Sequence, residues 1–168
     1  MIALTIDEID QYWNEMDKLE LDDVPTLVNN LGKKQPYILT YLMATGNDIL
    51  SQPEREALLF MGVMIWYIVG HIVPEVPEIS GDTLDDCENK NLEMLEYLAG
   101  EPESEFMDTV ERIMAKYHQA EFLRYIIDRL LEEPEKGIEI SEDNMGMMVI
   151  YLKTIIDCLD SAIPDEKV

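Results

Sequence analysis

The sequence predicts an all-α protein, a single compact bundle of about seven or eight helices spanning residues 1–168. Three observations carry that reading. Apolar residues recur at spacings of three and four, helix-start signatures return along the chain, and no stretch alternates long enough to make a strand. Apolar residues make up 47% of the chain and charged residues 29%. That composition supplies a packed core, unlike that of a disordered chain.

The first start signal is Thr5-Ile6-Asp7-Glu8. Thr5 can accept from a free first-turn amide while Glu8 reaches back, a capping box. Ile6, Ile9, Trp13 and Met16 then share one predicted apolar face. Asp22-Asp23-Val24-Pro25 restarts the chain as a second helix, because proline suits a first turn; it should end near Asn29-Asn30-Leu31-Gly32. Pro36 opens a third helix that runs through Ala44 and stops at Thr45-Gly46-Asn47.

Ser51-Gln52-Pro53-Glu54 combines a capping box with a first-turn proline. The helix it opens, near 53–72, is largely apolar, and Ala57 to Val73 contains no Asp, Glu, Lys or Arg. A membrane span needs about 20 apolar residues and basic residues on one flank. Here the run is interrupted by Gly62, Gly70 and His71, its flanks are acidic, and Arg55 stands alone. It reads as the central helix of a core, with both glycines permitting close helix packing.

Pro74-Glu75-Val76-Pro77 through Ser80-Gly81-Asp82 bars regular structure, giving a long loop near 74–83 inside the domain. Thr83 is the expected cap of a fifth helix with Leu84, Cys87, Leu92, Leu95 and Leu98 on one side, ended by Gly100 as a left-handed cap. No Gly or Pro falls between Glu103 and Leu131, which predicts one long helix or two broken near His118-Gln119. Phe106, Val110, Ile113, Tyr117, Ala120, Ile127 and Leu130 are its core-facing residues. Glu133-Pro134-Glu135-Lys136-Gly137 closes that segment. Ser141 caps a last helix whose stripe is Met145, Met148, Val149, Leu152, Ile155, Ile156 and Leu159, and Pro164 ends it. The same stripe would serve a bundle core or a homodimer. Successive pairs, Pro36 to Gly46 and Ser51 to Val73, suggest an irregular, HEAT-like arrangement without a fixed repeat.

Charge narrows the function classes. Thirty-six acidic residues face twelve basic ones, a formal charge of −24. Such a surface repels phosphate backbones and anionic membranes, so direct nucleic-acid and membrane binding are not expected. Partners of opposite character, above all a basic protein, are. The acidic opening, Met1 to Asp10, lacks the basic region of a signal peptide. Cys87 and Cys158 stand far apart in sequence without zinc-ligand spacing, as buried thiols of a reducing compartment do. A cytoplasmic location follows as the expectation.

No nucleophile elbow, phosphate-cradling glycine loop or dinucleotide fingerprint is present, and no cofactor is expected. Carboxylates remain. Glu93-Met94-Leu95-Glu96 and Glu105-Phe106-Met107-Asp108 each put two acids on one side of a helix. The pattern resembles the Glu-x-x-Glu … Glu-x-x-Asp of the all-α nucleoside triphosphate pyrophosphatase family, over about a tenth of the chain. The resemblance implies Mg²⁺-dependent hydrolysis of nucleotides, with Glu93, Glu96, Glu105 and Asp108 as metal ligands. The alternative is two solvated helix faces, which a chain this acidic produces by chance.

A di-iron bundle needs Glu-x-x-His on two helices, whereas His118-Gln119-Ala120-Glu121 runs in reverse and has no second copy. His118 is read as half-buried packing beside Met114 and Phe122, and His71 as packing at a helix end. Met61, Met64, Met145 and Met148 fall on core faces. The function expected is a protein-interaction or regulatory module. A metal-dependent nucleotide hydrolase and an acidic inhibitor that mimics nucleic acid are the alternatives.

Overall fold

A computed structural model describes residues 1–16, 18–19, 23–132, 137 and 139–165. Among them are eight α-helices and no strand: α1 (Ile6–Met16), α2 (Val24–Lys34), α3 (Pro36–Ala44), α4 (Gln52–Ile72), α5 (Gly81–Ala99), α6 (Glu103–Lys116), α7 (Ala120–Leu131) and α8 (Glu142–Ala162). The expected breaks at Asp22 and Glu133–Lys136 lie outside the described residues.

Local chemistry starts most of these helices as anticipated. Thr5 and Glu8 close their box, with the Thr5 amide donating to Glu8 Oε2 at 2.9 Å and the Glu8 amide to Thr5 Oγ1 at 3.4 Å. Ser51 and Glu54 do the same at α4, and Ser141 Oγ accepts from the Asn144 amide at α8. At α5 the cap is Ser80 and not Thr83. Ser80 Oγ accepts from the Thr83 amide at 3.2 Å, so the helix already begins at Gly81. Gly100 has φ −84° and ψ −10°, a right-handed residue rather than a left-handed cap. Gly32 does not end α2. It lies inside the helix, where a Cβ would sit 2.8 Å from Leu39 Cδ2, so its smallness lets α3 approach. The 103–131 segment is two helices, parted at Tyr117–Gln119.

Helix α4 is the axis of the bundle, in contact with α1, α2, α3, α7 and α8. Its buried residues, among them Leu58, Met61, Met64, Ile65 and Ile68, are the centre of the core. Among the described residues it is the one helix long and apolar enough to cross a membrane by length and composition, and 56% of that apolar window is buried against the rest of the bundle. Gly62 is the tightest point, since a Cβ there would lie 2.4 Å from Leu42 Cδ1 on α3. Gly70, expected to serve packing too, is exposed with nothing near its missing Cβ. Of the two uses the α8 stripe could serve, the structure places it in the core, with Leu152, Ile155, Ile156 and Leu159 fully buried. Ile6 is not core; it is 54% exposed.

Three polar side chains tie distant segments to this frame. Glu54, 3% exposed, accepts from the Ser51 amide, from Asn144 Nδ2 at 2.9 Å and from the Ser141 amide at 3.3 Å, so one carboxylate holds the N-termini of α4 and α8. Gln35, at the α2–α3 joint, donates to Pro77 O (2.7 Å) and accepts from the Ile79 amide (2.8 Å). Gln119, at the α6–α7 joint, accepts from the Leu4 amide (3.1 Å) and donates to Ile2 O and Asp160 Oδ1. Both glutamines are buried.

Candidate functional site

The four carboxylates of the pyrophosphatase-like pattern fall on α5 (Glu93, Glu96) and α6 (Glu105, Asp108), and all four are exposed. Among the described residues no group of three or more His, Cys, Asp or Glu side chains is placed to hold a metal ion. The ligand set that the resemblance implies is therefore not assembled. His71 ends α4, its Nδ1 2.7 Å from Tyr67 O and its ring against Tyr67 and Tyr12. His118 sits between α6 and α7 with Nδ1 2.9 Å from Asp160 Oδ2. Glu121 accepts from the Ile6 amide at the start of α1 and does not face a metal partner.

Sequence reading missed a polar cluster at the α5–α8 seam. Lys153, 8% exposed, donates to Asn91 Oδ1 (2.8 Å) and Asp157 Oδ2 (2.7 Å), and its ammonium lies 4.4 Å from the centre of the Tyr117 ring. Tyr117 donates to Asp157 Oδ1 (2.7 Å), and Asn91 Nδ2 donates to Asp157 and Thr154. Burial pushes the Tyr117 phenol well above its ordinary range, and the Asp157 charge adds to the effect. Burial also raises the Cys158 thiol, and Cys87 beside it contributes. The two cysteines, remote in sequence, are thus neighbours. The available signal was Lys153, Thr154 and Asp157 interrupting an otherwise apolar stripe. Among the described residues no buried side-chain N or O lacks a partner. Held by Asn91, Asp157 and the Tyr117 ring, Lys153 pins α5 and the α6–α7 joint to α8.

A half-open groove of about 760 Å³ runs between α2, the end of α4 and the 73–77 segment. Trp66, Tyr67 and Val76 give it an apolar wall, with Asn30, Lys34 and His71 at its margin. Trp66 Nε1 donates to Asn30 Oδ1 at 3.1 Å, so the indole is already satisfied.

The feature that departs most from an ordinary domain surface is the α5–α6 hairpin. Residues 82–111 contain eleven Asp or Glu and a single cation, Lys90. Helix α6 buries one residue fully, Thr109. Phe106, Val110 and Ile113, expected in the core, do not join it: Phe106 is 39% exposed and the other two are half-buried. Met107 beside them is 62% exposed. On α5, Leu95 and Leu98 are likewise half-buried and outside the core cluster.

Compared with known proteins, the chain matches no family model, no curated protein and no solved structure.

Proposed function

We propose that this chain is an acidic helical binding module that engages a basic partner protein. The observation that carries the proposal is the imbalance of solvent-facing charge. The excess of 24 negative charges is sharpened because Lys153 and Arg129 are paired with carboxylates of the chain itself. Lys153 is buried in its cluster. Arg129 pairs with Glu132 at 2.9 Å and stacks over Trp13 and Tyr125. What faces water is chiefly carboxylate, which speeds and steers encounter with a cationic surface.

The test is capture of partners from a native lysate at about 0.05 M and about 0.3 M salt, where the Debye length falls from roughly 14 to 6 Å. The expected result is a basic partner retained at low salt and released at high salt. A partner that is not basic, or whose retention ignores salt, overturns the proposal. Adding duplex DNA divides two versions of it: displacement of the partner by DNA marks an inhibitor that mimics nucleic acid, and retention of the partner marks an adaptor.

A further inference from the structure

We infer that the docking surface of this module is the apolar face of α6 at the α5–α6 hairpin, and that its occupant is a basic amphipathic helix of the partner. The inference rests on the binding-module reading and adds to it a place and a shape. A helix inside a bundle buries its apolar stripe, yet α6 leaves Phe106, Met107, Val110 and Ile113 outside the core, the first two exposed at 39% and 62%. Their positions, one, four and seven residues on from the first, describe a single helix face. Half-buried Leu95 and Leu98 lie on the adjoining helix, which the three-residue link 100–102 joins to α6.

Charge selects the occupant. Residues 82–111, the stretch that carries this face, have a net charge of −10 from eleven acids and one lysine, and Glu105 and Asp108 on α6 itself are exposed. A second copy of the chain would set that charge against its own image, which disfavours self-association. A helix with Lys and Arg flanking an apolar stripe meets both needs, since its stripe covers α6 and its cations meet the acidic surround. The stretch from Phe106 to Ile113 rises roughly 10 Å, so two to three turns of partner helix cover it.

The probe is a labelled peptide of about 18 residues with Leu or Phe at i, i+3, i+4 and i+7 and Lys or Arg elsewhere, read by fluorescence anisotropy. A version with Gln replacing the cations is the control. We expect the cationic peptide to bind and the Gln peptide not to. The double variant Phe106→Ser with Met107→Ser should weaken binding at least tenfold with the salt dependence unchanged. Met43→Ser with Ile49→Ser, exposed at 56% and 48% elsewhere on the surface, should leave it intact. Thermal melts of both variants verify folding, and Glu105→Lys with Asp108→Lys supplies a second, charge-based readout on the same face.

If the peptide binds but ignores Phe106, Met107, Glu105 and Asp108, the surface assignment falls while the binding-module reading stands. Binding of the Gln peptide as tightly as the cationic one overturns the charge argument beneath both. No binding by either peptide overturns the helical-partner inference and leaves the lysate capture to decide the broader reading. Sedimentation that shows a dimer broken by Phe106→Ser with Met107→Ser also overturns it, and assigns the face to a second copy.

Discussion

Glu54 is the point where a local sequence signal and the tertiary structure meet, so Glu54→Ala is the sharpest test of the fold. The carboxylate accepts from the Ser51 amide at 2.7 Å, Asn144 Nδ2 at 2.9 Å and the Ser141 amide at 3.3 Å. Losing the reciprocal half of the capping box costs about 1 kcal/mol, and each further bond to the charged acceptor about 1.5 kcal/mol at the lower end of its range. Ser141 is exposed and water replaces part of what it loses, which brings the total to about 3 kcal/mol. For a chain of 168 residues that is a fall in Tm of roughly 6–12 °C. Glu54→Gln, which keeps the volume but not the charge, should lose about half as much.

The pH dependence fixes the cause. Burial alone would raise the Glu54 pKa, but the bonds from the Ser51 amide, Asn144, the Ser51 hydroxyl and the Ser141 amide outweigh it and hold the group below its ordinary 4.5. A lowered folded-state pKa gives stability that is present in full above the unfolded value and is lost as pH falls through the folded one. The gap between wild type and Glu54→Ala in urea or thermal unfolding should therefore be constant from about pH 6 to 8 and narrow by about half as pH falls below about 4.5. A Tm within 2 °C of wild type at pH 7, or a gap undiminished at pH 3, would refute the reasoning.

Lys153→Met leaves the largely buried Asp157 carboxylate without its cation and should cost about 2–3 kcal/mol in urea unfolding; a neutral effect would mean that Asn91 and Tyr117 suffice. The two glycines of α4 should respond in opposite directions. Gly62→Val drives side-chain atoms into Leu42 and should destabilise by about 2 kcal/mol, whereas Gly70→Ala, in open space, should stabilise by up to about 1 kcal/mol; paired thermal melts decide it. The buried, up-shifted Cys158 thiol should resist alkylation at pH 8 in the native protein and react once unfolded. Rapid native labelling at that position would contradict its burial.

Much of the architecture was legible because helix boundaries are written in short-range chemistry. Thr5 with Glu8, Ser51 with Glu54, Ser141, Pro36 and Pro53 each act within one turn, and the structure uses each at the helix start where it was expected. The failures share the opposite cause. Ser80 and Thr83 both carry capping hydroxyls, and spacing alone cannot rank them. Gly32 resembles a terminator until Leu39 arrives from the next helix. The Lys153–Asp157–Asn91–Tyr117 cluster joins residues as much as 66 apart, beyond the reach of any window. At the candidate site the acidity was plain in the sequence. That Phe106 and Ile113 stand outside the core was not, because periodicity shows that a face is apolar and not what covers it.

The two buried glutamines at the helix joints have a consequence for how the molecule opens. An amide side chain presents a donor and an acceptor together, and Gln35 uses both on Pro77 O and the Ile79 amide, as a neighbouring β-strand would. The proline-bearing stretch between α4 and α5 is thereby annealed to the α2–α3 elbow, with Ile79 sunk beneath it. Gln119 grips the extended opening residues at the other elbow in the same way. Segments that would ordinarily fray first are riveted to the frame, and the Ile79 amide should exchange its hydrogen with solvent only when the helices themselves come apart.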